Sequence, residues 1–216
     1  MKFKIAFSNF IAFILVLCAG HANSQSFYTG VASPTNWTVG VAKSFGYNLG
    51  LRAEYSKGSS TSSETIDGLN LIGSFQSSKV GFFADYYPMQ GSFRLVAGLT
   101  INDIKASFRS ASGISNINNT AYDLTDEKID VNLTFPKTTT YLGVGYGHQF
   151  SSVKGLGLYA DAGVSLGSFF SSYSVSSNGN SSLSNQDLSD QVNSIKNHTN
   201  GYYYLPSISV GVSYSF

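Results

Sequence analysis

The sequence is short of charge, of cysteine and of long apolar runs, and each shortage removes a class of protein. Lys, Arg, Asp and Glu make up 12% of the 216 residues, about half the usual share for a soluble domain. The formal net charge is +1, so neither nucleic acid nor an acidic surface is suggested as a partner. The single cysteine, Cys18, lies near the start. A chain cleaved beyond it carries no disulfide and no thiol chemistry. Past the first residues, no apolar run approaches the ~18 residues of a membrane-spanning helix. What is abundant is glycine (22), tyrosine (14) and phenylalanine (16), at a mean hydropathy of zero. That combination fits alternating strands better than helices.

Lys2 and Lys4 give a positive start. Phe7 to Leu17 is apolar but for Ser8 and Asn9, and Cys18, Ala19, Gly20, Ala22 and Ser24 follow closely. These are the three regions of a secretory signal peptide. Residues 1–24 are expected to direct export and residues 25–216 to form one mature domain. Cleavage after Ser24 or after Ala22 satisfies the small-residue rule, and the first is preferred. The run is too short for a span of ~20 residues. Leu17, just before Cys18, is too large for a lipoprotein signal.

The clearest pattern closes the sequence. Ile208, Val210, Val212, Tyr214 and Phe216 fall on one face of a strand, and Ser209, Gly211, Ser213 and Ser215 on the other. Similar alternation marks residues 27–32, 37–45, 49–55, 80–87, 93–108, 129–150 and 156–167. Ser33-Pro34-Thr35-Asn36, Gly46-Tyr47-Asn48, Pro88-Met89-Gln90-Gly91 and residues 151–155 are turn chemistry. Residues 57–67, 110–126 and 178–201 read as long polar loops. Within the last, Leu188, Val192 and Ile195 recur at helical spacing behind Ser184, as in a short amphipathic helix. The apolar parity switches twice, between Phe75 and Val80 and again across residues 136–140. A bulge near residues 76–78 and a proline break at Pro136 would reconcile the halves.

Eight strands, joined by short turns after the second, fourth and sixth and by long loops after the third, fifth and seventh, specify an all-β fold. The expected architecture is an eight-stranded antiparallel up-and-down transmembrane β-barrel with extended extracellular hairpins. In hydrocarbon every backbone amide must be paired, and a closed sheet achieves that. Tyr47, Tyr86, Phe93, Tyr146, Phe150, Tyr214 and Phe216 would mark the periplasmic rim. Trp37, Phe169 and Tyr204 would mark the outer one. Lys43 falls on the apolar face but close to its end, where it can snorkel. A periplasmic β-sandwich packing the same faces together is the soluble alternative.

Gly211-Val212-Ser213-Tyr214-Ser215-Phe216 resembles the C-terminal assembly signal of bacterial outer-membrane barrels, Gly-x-x-aromatic-x-Phe, carried here by Gly211, Tyr214 and Phe216. Residues Tyr141 to Gly147, Gly157 to Val164, and the stretch before Tyr204-Leu205-Pro206 are similar to small eight-stranded barrels of the CarO type. Those are described as ornithine-uptake or carbapenem-associated porins. The resemblance implies an outer-membrane barrel in a Gram-negative cell. It carries over no binding motif residue by residue.

Five charges are expected to point inward: Arg52, Glu54, Asp85, Arg94 and Asp161. A narrow barrel holds little water, so such charges must pair. One reading is a salt-bridge plug inside a non-conducting structural or surface-interaction barrel. The other is a narrow uptake channel whose two charge signs pass small zwitterions such as basic amino acids. An eight-stranded interior is just wide enough for its side chains to fill, yet inward glycines on the sixth and seventh strands leave space. Asp123, Asp126, Glu127 and Asp130 form an acidic loop cluster without EF-hand spacing. His148 and His198 have no triad partner. No catalytic, cofactor-binding or metal-binding residue is assigned, and no enzyme is expected. Expected partners are outer-membrane lipid and lipopolysaccharide, the barrel assembly machinery and periplasmic chaperones. No nucleic acid is expected, and a monomer is favoured.

Overall fold

Alternating apolar and small side chains become a closed ring of hydrogen-bonded strands. The computed structural model describes residues 24–45, 48–66, 69–110, 114–117, 120–123, 129–147, 154–167, 172–177 and 204–216. The strands are β1 (Ser24–Ala32), β2 (Asn36–Phe45), β3 (Leu49–Ile66), β4 (Leu69–Tyr86), β5 (Phe93–Ser110), β6 (Ile114–Ile117) and β7 (Thr120–Asp123). They continue with β8 (Ile129–Thr134), β9 (Thr138–Tyr146), β10 (Gly155–Leu166), β11 (Ser172–Ser177) and β12 (Tyr204–Ser215). Eight of them, β1–β5, β9, β10 and β12, form an antiparallel ring. Two pairings close it. β1 pairs β12 from Ser26↔Ser215 to Ala32↔Ser209, and β5 pairs β9 from Phe93↔Tyr146 to Ile101↔Thr138. The closing strand thus pairs with the first one, as the alternation of both predicts. A closed ring leaves no free edge at this level.

The outer face is apolar. Phe27, Val31, Leu51, Leu95, Leu99, Leu142, Leu158, Ile208 and Val212 all stand exposed on it. On β5 the apolar run extends from Phe93 to Ile101, then gives way to Asp103 and Lys105. At ~3.4 Å per residue and a tilt of ~40°, that run is ~21 Å tall, close to the ~25 Å apolar band of such barrels. Tyr86, Phe93, Tyr146, Tyr214 and Phe216 are exposed at one rim, and Trp37 and Tyr204 toward the other. Tyr47, Phe150 and Phe169 lie outside the described residues. Lys43 is buried, its ammonium 5.6 Å from the Phe45 ring centroid at the first rim.

Beyond the band, β3, β4 and β5 continue upward as strands, and the upper half of β5 pairs β8, which pairs β11. The expectation that residues 57–67 form a loop is corrected. Residues 57–66 belong to β3, which stays paired with β4 to Ile66↔Leu69. Ser and Thr lack the apolar alternation that signals a strand in lipid, but they suit a water-exposed one. Residues 110–126, also expected to be a loop, contain the short β6–β7 hairpin. The tight β1–β2 turn stops at the level of Gly58, the partner of Asn36. Among the described residues the crown rises from β3, β4, β5, β8 and β11, above the level of the β1–β2 turn. Where the turn ends it is tied to β12, with Ser33 N–H donating to the Ile208 carbonyl at 2.8 Å.

The register overturns the expected bulge, whereas the expected break at Pro136 is present but does not shift the pairing. The β3–β4 pairing runs without an extra residue from Leu49↔Tyr86 to Ile66↔Leu69, so no bulge exists near residues 76–78. β8 and β9 pair β5 in one continuous register, Lys105↔Thr134 and Ile101↔Thr138, although Pro136 interrupts the strand itself. The apolar residues change face for another reason. Within the apolar band most of them point outward, with Phe83, Val96 and Tyr141 as inward exceptions. Above it, Phe75, Ile104, Ala106 and Phe135 point inward, and Phe75 meets Phe135 edge-on at 6.3 Å. The crown follows the rule of a water-soluble sheet, apolar inside and polar outside, while the strands below follow the reverse.

Candidate functional site

The interior is built by side chains that reach across glycines. Tyr28 on β1, Gly40 on β2 and Glu54 on β3 occupy one lateral row. Tyr28 spans the glycine, and its hydroxyl donates to Glu54 Oε2 at 3.2 Å. Phe83 on β4, Gly98 on β5 and Tyr141 on β9 repeat the arrangement, with ring centroids 5.3 Å apart. Arg94 on β5, Gly145 on β9 and Asp161 on β10 are the third case. Arg94 Nη2 lies 2.6 Å from Asp161 Oδ1 across that glycine. A methyl group at Gly145 would collide with both partners. Local alternation cannot reveal these triplets, because only the inter-strand register places their members in a row.

Four of the five expected charges close into a ring. Arg52 Nε lies 2.7 Å from Asp85 Oδ2, and Arg52 Nη1 lies 3.2 Å from Asp161 Oδ2. Arg94 Nε lies 3.6 Å from Asp85 Oδ1, and Arg94 Nη2 completes the circuit at Asp161. Arg94 Nη1 also donates to the Gly147 carbonyl at 2.6 Å. All four side chains are buried, Arg94 completely. The Arg52 contact to Asp85 is short but too oblique to be a directed hydrogen bond, and the Arg94 contact is too long for one. Asp85 is thus held by charge, whereas Asp161 accepts directed bonds from both arginines. Burying four charges is costly unless each is compensated, and strict alternation of sign compensates each twice. The Arg52 guanidinium also lies 5.0 Å from the Phe83 ring centroid and 5.9 Å from that of Tyr28.

Glu54, the fifth expected charge, stands outside the ring. It accepts from the Tyr28 hydroxyl and, at 2.9 Å, from the Ser56 hydroxyl. Beside the ring, Glu54 and Lys79 line a cavity of about 10 Å³ with Phe83, Tyr141 and Ser209. Sequence reasoning did not single out Lys79, although its parity with Asp85 on one strand was available. The space expected from inward glycines is occupied. Tyr141 lies against Gly143 and Gly163, Tyr159 against Gly30 and Gly211, and Arg94 against Gly145. Toward the crown, the Thr100 and Thr139 hydroxyls meet at 2.6 Å, and Asn102 Nδ2 donates to Thr139 at 3.1 Å.

The remaining expected residues are placed as follows. Gly211 pairs Gly30 and Tyr159, Tyr214 pairs Phe27 and Leu156, and both lie on the closing strand. Phe216 stacks on Phe27 at 5.5 Å, and its N–H donates to the Gln25 carbonyl at 3.0 Å. His148, His198, Asp126, Glu127 and the Leu188–Ile195 helix lie outside the described residues, as do residues 1–23. So do the side chains of Asp123 and Asp130. Among the described residues, no group of His, Cys, Asp and Glu is arranged to hold a metal ion.

A closed eight-stranded ring with a packed interior can be set beside known structures. The chain shares the fold of CarO. It aligns with Acinetobacter baumannii CarO over 90% of this chain and 98% of that one, at 18% identity and a TM-score of 0.62. With Acinetobacter baumannii CarO2 the shares are 91% and 100%, at 19% identity and a TM-score of 0.65. No protein-family profile matches the sequence, and no curated protein matches it. The likeness to CarO is one of architecture, carried by strand number and closure over nearly the whole of each chain.

Proposed function

We propose that this is an outer-membrane barrel of a Gram-negative cell, exported by residues 1–24, whose interior is sealed and whose crown is its working surface. The observation that carries the sealed reading is the Arg52–Asp85–Arg94–Asp161 ring. Its four side chains bond one another across the lumen, and aromatic rings fill the glycine gaps beside it. The apolar outer band and the C-terminal Gly211, Tyr214 and Phe216 support the membrane placement. A barrel of this kind anchors and presents its hairpins rather than conducts.

A second reading rests on Glu54 and Lys79. One acidic and one basic side chain line the same small cavity beside the ring, an arrangement suited to the amine and carboxylate of a small zwitterion. Uptake then requires the ring to open. Single-channel recording on the refolded barrel separates the two. The sealed barrel is expected to give a silent bilayer, and discrete steps carried by basic amino acids would establish the channel instead.

A further inference from the structure

A groove of ligand-site size lies on the outside of the barrel. It has a volume of about 740 Å³ and sits where the apolar band ends, on the outward face of β3, β4 and β5 and beside the β1–β2 turn. Three lateral rows define it. Val39, Tyr55, Val80 and Ile101 form the last apolar row. Trp37, Lys57, Ser78 and Asp103 form the next, and Ser59, Gln76 and Lys105 the one above. The floor is aromatic, with Trp37 and Tyr55 meeting edge-on at 5.6 Å. The walls are polar and carry two lysines against one aspartate. Lys105 and Asp103 are 3.7 Å apart and well exposed, at 69% and 51%, so their pairing contributes little and leaves the ammonium available.

We propose that this groove binds the phosphorylated saccharide headgroup of an outer-leaflet glycolipid, a proposal that rests on the outer-membrane placement above. The groove has the size of a ligand site. Its aromatic floor continues the lipid-facing surface, which suits the boundary between acyl chains and sugar. Lys57 and Lys105 stand one row apart above that floor, where a headgroup phosphate arrives. A free phosphate would use the lysines and ignore the floor. A neutral sugar would use the floor and ignore the lysines. A lipid carrying both groups uses the whole groove.

The chain contains one tryptophan, and it is in the floor, so its fluorescence reports the groove directly. The full chain is expressed in a Gram-negative host and fractionated, then the barrel is extracted, delipidated in detergent and titrated with bisphosphorylated lipid A or its phosphate-free counterpart. Both lipids reach Trp37, and the phosphorylated one is expected to shift its emission saturably at roughly 25-fold lower concentration. Lys57→Gln and Lys105→Gln should each weaken binding roughly fivefold, and together about 25-fold. Lys154→Gln, exposed just before β10 at the opposite rim, should leave it unchanged. A retained gel-mobility shift between folded and heated samples checks that the variants fold. Unchanged affinity in the double lysine variant, or equal binding of the phosphate-free lipid, overturns the proposal. A barrel absent from the outer-membrane fraction overturns the placement as well. A barrel present there but indifferent to the lysines overturns the groove alone.

Discussion

Replacing Arg94 by Met removes a guanidinium that meets Asp161 at 2.6 Å, the Gly147 carbonyl at 2.6 Å and Asp85 at 3.6 Å. It leaves Arg52 as the one ring cation against two carboxylates, all of them buried. Removing one member of a buried pair costs about 3–5 kcal/mol, because the partner stays buried and uncompensated. Asp161→Leu should cost about as much for the mirror reason, leaving two arginines on Asp85. The double replacement keeps the Arg52–Asp85 pair and restores neutrality to the ring. Apolar substitution of a whole buried pair is often close to neutral. The double variant still strips the Gly147 carbonyl of its donor, worth about 1–3 kcal/mol. Its total cost should therefore be about 1–3 kcal/mol, and the coupling between the two sites at least ~3 kcal/mol. Urea unfolding of the refolded barrel in lipid vesicles, followed by Trp37 emission, measures all four corners of the cycle. Costs that simply add, or an Arg94→Met cost under ~1 kcal/mol, would refute the account of a mutually compensating ring.

Gly145→Ala should destabilise the barrel by about 1–3 kcal/mol through overpacking, and this penalty should largely vanish in an Arg94→Ala, Asp161→Ala background, which removes the atoms the methyl meets; the same unfolding assay reads it. Arg52→Ala with Arg94→Ala should either convert a silent bilayer into a conducting one or lower the unfolding midpoint, and a variant that does neither contradicts the plug. Tyr28→Phe deletes the donor to Glu54 and should cost about 1.5–3 kcal/mol, the range for a hydrogen bond to a charged group. Deleting Phe216 removes the stack on Phe27 and the bond to Gln25. It should lower the folded fraction in the outer membrane with export unchanged, as quantified by fractionation and gel mobility.

The strands within the apolar band were legible in the sequence because their outward residues are nearly all apolar, as β12 shows from Ile208 to Tyr214. The inward face follows a looser rule, small or polar on β12 but carrying Phe83, Val96 and Tyr141 elsewhere. The crown was harder to read because the outward rule lapses above the membrane. Ser59 to Thr65 alternate nothing, yet they pair residue for residue with β4. The two apparent slips, near Phe75 and near Pro136, were crossings between two solvents rather than faults in pairing. The five inward charges could be identified by parity alone. Their partners could not, since Asp161 meets Arg94 only because Gly145 stands between them in the register. Lys57 and Lys105 were hidden for the same reason, being distant in sequence and one row apart on the wall.

The ring has a sequence order as well as a geometry. Arg52, Asp85 and Arg94 sit on consecutive strands β3, β4 and β5, and together they carry an excess of positive charge. The balancing Asp161 comes from β10, one strand before the closing β12. A sheet of β3, β4 and β5 alone would hold one net positive charge facing the lumen. Only β10 supplies the carboxylate that cancels it. Electrical neutrality of the interior is therefore a property of the closed barrel and of no run of neighbouring strands within it.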